Sequence, residues 1–471
     1  MSTLIQRVRQ GDRRALALSI IALALLSAAL LGPRASQRWI ALIFAALAGL
    51  TLMLELRLGL LCIIGAALVL PFEIGTGTEV RLNAVTLLVP ALFAMWVFQG
   101  LGTDRRHWSA SRVNRPLILF LVSSLFSLLA GNAFWDVAIP KSGHFWLVQL
   151  AQWGIFVIAA MAFWLTANMV QDEVWLQRIS WAFLYLGGGL AMLRFAPGLG
   201  GWTNRFNTMA FLRIPFWMLL GSLAGGQLLF NSALARPQRY LLIGILAAAG
   251  YYALFDQQQR TSNWVGLAAV AGVLIWLRFP TWRKAIVMPA LVLLASGLLF
   301  PSLYEFAGGD AKWIESGGSR LVLIERVVSV TLRNPVTGLG PASYRHYANV
   351  EPLRYQRMLW FNPQISSHNN YIDLFAHTGL LGLGLFLWFA VELTLLGLRL
   401  SQRYRTGFVG GYASGMLAAW AGSLVTMLLA DWMLPFVYNI GFPGFQASLL
   451  VWLFLGGLVV LEQQAKAKSD A

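Results

Sequence analysis

Apolar runs of roughly one membrane thickness recur from Ala15 to Leu461, separated by short polar connections rich in arginine. A hydrocarbon core of ~30 Å takes roughly 20 apolar residues per α-helix. Because the runs are continuous rather than alternating in short segments, they predict membrane-crossing helices and not a β-barrel. Candidate spans start near Ala15, Trp39, Leu58, Asn83, Leu117, Phe145, Val174, Thr208, Tyr240, Ser262, Lys284, Tyr371, Phe408 and Gly441. Pro71 weakens the third run, and "DWMLPFVYNIG", Asp431 to Gly441, could be re-entrant. The expectation is an all-α polytopic protein of about 12–14 helices, by the length that a bilayer demands of each span.

The polar positions divide this pattern into three parts: the first eleven spans in residues 1–304, a large loop in residues 305–370, and the C-terminal spans in residues 371–471. Within the loop, "SRLVLIERVVSVTLRNP" places Leu321, Ile324, Val327, Val328 and Thr331 at helical spacing. That predicts an amphipathic helix along the membrane surface or capping the bundle. "NPVTGLGP", Asn334 to Pro341, then supplies Pro and Gly to stop it. The chain shows no internal repeat of the kind that builds many transporters.

Composition sharpens the class. The chain is 58% hydrophobic and 11% charged, with 20 Trp and 29 Phe among 471 residues, more apolar material than one aqueous core would use. A net charge of +16 raises the question of nucleic acid, but the Lys and Arg residues lie in short clusters between apolar runs. Membrane orientation accounts for them, and no nucleic-acid partner is expected. Arg57, then Arg105 to Arg115, Arg236 and Arg239, Arg278 to Lys284, and Arg399 to Arg405 fall on alternate connections. Placing these inside puts both termini in the cytoplasm and the 305–370 loop on the outer face. The run after "MSTLIQRVRQGDRR" has the charged start of a signal peptide without a convincing cleavage site, and is expected to stay as the first helix. Cys62 is the one cysteine, so neither an intramolecular disulfide nor a Cys-based metal cluster is available.

Ionisable residues at helix mouths are costly and therefore informative. On the expected outer face stand Arg260 in "FDQQQRTSNW", Arg320 in "GGSR", and His368 in "SSHNNYIDLFAHTGLLG". For His368 the plain reading is a linker beside a helix cap, with Ser367, Asn369 or Asn370 supplying the cap oxygen. The functional reading is an imidazole able to take a proton near neutral pH. For Arg260 and Arg320 the choice lies between helix-end snorkelling and guanidinium forks that hold phosphates. His377 reads as an interior histidine and His346 as a surface one. No Asp-x-Asp, His-Glu-x-x-His, Walker or Gly-x-Gly-x-x-Gly pattern is placed to serve a metal or nucleotide, so no cofactor is expected.

With "GGSR" and "NPVTGLGPASY" upstream, "SHNNYIDLFAHTGLLG" resembles the bacterial O-antigen ligase and O-antigen polymerase superfamily. The family's His-Asn-x-Tyr stretch and glycine pair are met by His368, Asn369, Tyr371, Gly379 and Gly382. Its Pro-x-x-Gly-x-Gly segment, after an arginine-bearing helix, is met by Pro335, Gly338 and Gly340 after Arg320. The resemblance runs from Gln257 to Gly384, and the first half of the chain shares only hydropathy. It implies a metal-independent glycosyltransferase of the bacterial inner membrane, taking an undecaprenyl-diphosphate-linked glycan at the periplasmic face. In that reading His368 is the catalytic base, Asn369 and Tyr371 support it, and Arg320 with Arg260 binds the diphosphate. "QQQRTS" lacks the family's Ser before Arg260, so Arg205 in "GWTNRFNTM" competes for that role. Neighbouring arginines would keep the ring neutral by like-charge repulsion. Direct displacement by an acceptor hydroxyl would invert the sugar. The acceptor expectation leans to lipid A core, as in a ligase, with a growing glycan, as in an O-antigen or exopolysaccharide polymerase, as the alternative. From another class, a lipid-linked glycan flippase or transporter would show ionisable groups at mid-span in both halves, whereas the candidates here gather at one face.

Overall fold

The computed structural model describes residues 55–101, 108–203, 208–211, 213–255, 263–296, 320–350, 354–355, 359–360 and 366–470. Among the described residues the chain is all-α apart from two short antiparallel hairpins. In chain order the elements are α1 (Leu58–Val69), β1 (Glu73–Gly75), β2 (Arg81–Asn83), α2 (Ala84–Leu101), α3 (Asn114–Ala133), α4 (Phe145–Met169) and α5 (Glu173–Phe195). Two single-turn helices, α6 (Gly200–Thr203) and α7 (Thr208–Phe211), lead to α8 (Ile214–Phe230), α9 (Arg236–Phe255), α10 (Asn263–Arg278) and α11 (Arg283–Ala295). The loop region holds α12 (Arg320–Thr331), α13 (Tyr344–Val350), β3 (Arg354–Tyr355) and β4 (Leu359–Trp360), and the chain closes with α14 (Asn370–Arg403), α15 (Gly407–Thr426) and α16 (Gly441–Asp470).

Five helices, α3, α4, α14, α15 and α16, are long and apolar enough to cross a membrane; α10 and α11, bent sharply at Pro280, add a sixth if taken as one broken span. The other helices at the expected span positions are shorter or more polar, and the first two expected spans lie outside the described residues.

The bundle is organised around α16, whose apolar stretch is buried along its whole length. A helix apolar on every side belongs at the centre of such an assembly. It packs on α4, while α8 packs on α15. That second contact is close because it is lined by small residues: a Cβ on Gly415 would sit 2.7 Å from the Ser222 carbonyl, the small-residue packing through which membrane helices approach one another.

The loop helix α12 forms where expected, with a different stripe inward. Leu323, Val327, Val330 and Thr331 are buried, and Leu321 is exposed. The helix leans on α14, so its buried face is chosen by that neighbour. Val327 and Val330 join Leu339, Tyr344 and Ala376 in a small second core above the bundle.

The stretch that ends α12 is built into α14. At Gly379 the helix breaks, with φ 66° and ψ −171°. Four backbone groups would lose their ladder partners there, at a cost no lipid could offset. The "PVTGLG" segment replaces them: Leu339 N donates to Ala376 O (2.9 Å), while Leu380 N and Leu381 N donate to Pro335 O (2.9 Å) and Val336 O (3.1 Å). Ser127 Oγ on α3 donates to His377 O at 2.6 Å. The approach admits no side chain: a Cβ on Gly338 would stand 2.5 Å from Gly379 N, and one on Gly379 would strike the Val336 carbonyl. Gly379→Ala should therefore lose more than about 2 kcal/mol of stability, from left-handed backbone cost plus the clash. Gly384→Ala, with open space around its Cβ, should leave the detergent melting temperature near wild type. Equal melting temperatures for the two variants would dispose of the interlock.

Candidate active site at the mouth of α14

The polar residues ahead of α14 divide their labour. Asn369 is the N-cap, its Oδ1 accepting from Tyr371 N (3.0 Å) and Ile372 N (3.2 Å). Asn370 pins the 427–440 loop between α15 and α16: its N donates to Met427 O (2.8 Å) and its Nδ2 to Leu434 O (2.8 Å), while its Oδ1 accepts from Met433 N (3.0 Å). Asn369 Nδ2 donates to Leu428 O (2.9 Å) and Tyr371 Oη to Leu424 O (2.9 Å). From α4, Gln152 holds the far side of the loop, donating to Pro435 O (3.1 Å) and accepting from Val437 N (2.7 Å). A buried irregular loop must have its backbone groups satisfied, and these amides do so.

His368 meets the same loop through its ring. Its backbone lies in the left-handed region at φ 50°, which histidine enters more readily than most residues. Its ring, with the side chain 16% exposed, stands with Nδ1 3.4 Å from Oδ1 of Asp431. Asp431 is fully buried. It accepts from Asn439 Nδ2 at 3.0 and 3.1 Å and from Phe436 N at 3.2 Å, and Asn439 Nδ2 also stands 3.1 Å from His368 Nδ1. Burial would push the Asp431 carboxyl up. The His368 ring and the Phe436 amide outweigh it and hold the group below the ordinary aspartate value. In the tautomer with the proton on Nδ1 directed at Asp431, Nε2 of His368 is the basic atom; in the other, Nδ1 accepts from Asn439 Nδ2. An imidazole paired with a carboxylate in this way can serve as a general base.

Two arginines flank the Asp431–Asn439 stretch. Arg213, at the entry to α8, lies with its guanidinium 4.8 Å from the ring centre of Trp432. Its buried Nε has no hydrogen-bond partner among the described residues. Burial pulls this guanidinium below its ordinary value, and the charge of Asp431 opposes that. Arg345 on α13 pairs with Glu79 at 2.6 Å and sits 4.3 Å above Tyr438.

Of the residues expected from the sequence, His368, Asn369 and Tyr371 come together at this mouth. Arg320 is the first residue of α12; Arg205 and Arg260 lie outside the described residues. Among the described residues, the charge brought against the ring is the Asp431 carboxylate. His377 is buried inside α14, its Nδ1 accepting from Ala342 N at 3.3 Å and its ring stacked on Phe436 at 5.3 Å. His346, expected at the surface, is wedged against Phe145, ring centres 4.0 Å apart. Sequence reading missed Asp431, Asn439, Arg213 and Arg345. The available signal was Asp431 itself, an acid between two apolar runs, where an ionisable group points to function before anything else. The same holds for Arg213 in "FLRIPFWM".

Comparison with known proteins finds a likeness over part of the chain. Residues 243–387 match the family model described as O-Antigen ligase. The matched stretch runs from α9 into α14 and takes in Arg320, the Pro335–Gly340 segment and His368. No curated protein matches the chain. Asp431, Asn439 and Arg213 lie outside the matched residues. Residues 243–387, set in a bundle of apolar helices, are thus similar to the O-antigen ligase family over about a third of the chain.

Proposed function

We propose that the protein transfers a glycan from undecaprenyl diphosphate to an acceptor hydroxyl at the periplasmic face of the inner membrane, without a metal and with inversion, and that the acceptor is lipid A core. The observation that carries this reading is the His368 imidazole set against buried Asp431 at a helix mouth. Nε2 of His368 takes the hydroxyl proton as the acceptor oxygen attacks the anomeric carbon from the face opposite the diphosphate. The glycosidic C–O bond breaks, and the departing diphosphate carries its electron pair and charge to guanidinium groups. Asp431 stabilises the imidazolium that forms. Arg320 is the first candidate for the diphosphate clamp; Arg213 is the second, because its buried Nε lacks a partner among the described residues, and Arg260 and Arg205 complete the set.

The test is transfer by the purified protein from an undecaprenyl-diphosphate glycan, offered lipid A core and, separately, a second lipid-linked glycan, with the anomeric configuration of the product read by NMR. Product on lipid A core with inverted configuration supports the ligase. Product only on the second glycan replaces it with a polymerase, and retention of configuration would reject direct displacement. Arg320→Lys keeps the charge but loses the two-pronged fork. It should fold and bind donor while losing most turnover; near-normal transfer would move the clamp to Arg213. For orientation, a cysteine at exposed Ser329 in a Cys62→Ser background should react with an impermeant maleimide in cells whose outer membrane alone is opened. Labelling only after inner-membrane lysis would put the loop, and the site with it, on the other face.

A further inference from the structure

A second site lies at the opposite end of the bundle. α14 runs from the His368 mouth to Ser401 over a length on the order of 45 Å at 1.5 Å per residue, more than the ~30 Å hydrocarbon core. Where it ends lies a partly open cavity of about 510 Å³ between the ends of α8, α10 and α14 and the start of α11. Arg278, Arg283 and Arg405 line it, and no carboxylate does. Each arginine is held by uncharged groups: Arg283 Nε donates to Trp276 O at 3.1 Å with its guanidinium 5.4 Å over the Trp276 ring, Arg405 Nε donates to Gln402 O at 3.3 Å, and Arg278 lies 6.0 Å over Phe279. None has an acidic partner among the described residues. Three like charges around one cavity repel until an anion enters. Ser401 and Gln402 add polar groups, and Phe230, Trp276, Leu277 and Pro280 form the apolar part of the lining. Phe279 and Trp282 are exposed alongside, as aromatic side chains are at headgroup depth.

We infer that this cavity binds the phosphate headgroup of an anionic phospholipid, with its acyl chains running along the apolar end of the groove. A free phosphate would meet the same arginines, but it would leave the apolar half of the lining and the exposed aromatic belt unused. Basic pockets between membrane helices recognise lipid headgroups by this combination.

The experiment compares the purified full-length protein in detergent with phosphatidylglycerol and with phosphatidylcholine of the same acyl chains, reading retained lipid by native mass spectrometry and the melting temperature in parallel. Phosphatidylglycerol should be retained and should raise the melting temperature; phosphatidylcholine should do neither. Each Arg→Gln change at 278, 283 or 405 should weaken retention about fivefold, the factor equivalent to about 1 kcal/mol per basic side chain near an anionic surface. The triple variant should weaken it on the order of 10²-fold by the same increments. If the triple variant folds poorly, Arg405→Gln alone, in the exposed connection after α14, carries the measurement. Arg399→Gln, exposed at the same end but outside the cavity, should leave retention unchanged. Retention undiminished in Arg405→Gln and the triple variant would overturn the proposal, as would equal loss in Arg399→Gln. So would a melting shift reproduced in full by inorganic phosphate.

Discussion

Replacing His368 by alanine should lower the rate of glycan transfer by about 10²- to 10⁴-fold, the usual contribution of a positioned acid–base group, and should leave the fold and donor binding close to wild type. The two expectations separate because the residues around His368 already do the structural work. Asn369 caps α14, and Asn370 and Gln152 hold the backbone of the 427–440 loop, so removing the imidazole takes away its contact to Asp431 and Asn439 but none of these backbone ties. Loss of a cap would have cost about 1 kcal/mol of stability and little chemistry. Transfer measured with donor and acceptor saturating should fall as pH drops through the imidazole range, because protonation removes the basic nitrogen. That acid limb should be missing from the residual activity of His368→Ala. A variant that retained both activity and limb would reduce His368 to a linker. His377→Ala should do the reverse, costing packing against Phe436 more than chemistry.

Asp431→Asn should cost on the order of 10²- to 10⁴-fold in transfer, since it leaves a similar shape at the loop but removes the charge that orients the ring and stabilises the imidazolium. It should also move the acid limb. The interaction that holds the Asp431 carboxyl below its ordinary value through His368 is reciprocal, so a proton on the ring loses its counter-charge and the limb shifts to lower pH. A merely structural carboxylate would lower the melting temperature and leave the limb where it was. In the proposed mechanism both side chains serve one proton transfer, so the double variant His368→Ala/Asp431→Asn should be scarcely slower than His368→Ala alone. Multiplied losses would show that Asp431 acts elsewhere.

The class of protein and the positions of most described helices are written locally in the chain. Spans expected near Leu58, Asn83, Phe145, Tyr371, Phe408 and Gly441 begin within a residue of observed helices. Burying an apolar run in lipid is a property of that run alone, so its ends are written locally. The helix mouth was legible for the same reason, since a cap acts on amides two and three residues away. The partner of His368 was not. Asp431 reaches the ring only because Asn370 of one helix and Gln152 of another fold the 427–440 loop back into the bundle, and no local pattern states which distant carbonyls an asparagine will satisfy. Nor could spacing show that "PVTGLG" would enter the break at Gly379, or that α12 would turn Leu323 rather than Leu321 inward. Those choices follow from the requirement that every buried backbone group and apolar face find a partner, which the whole assembly satisfies at once and no single segment can.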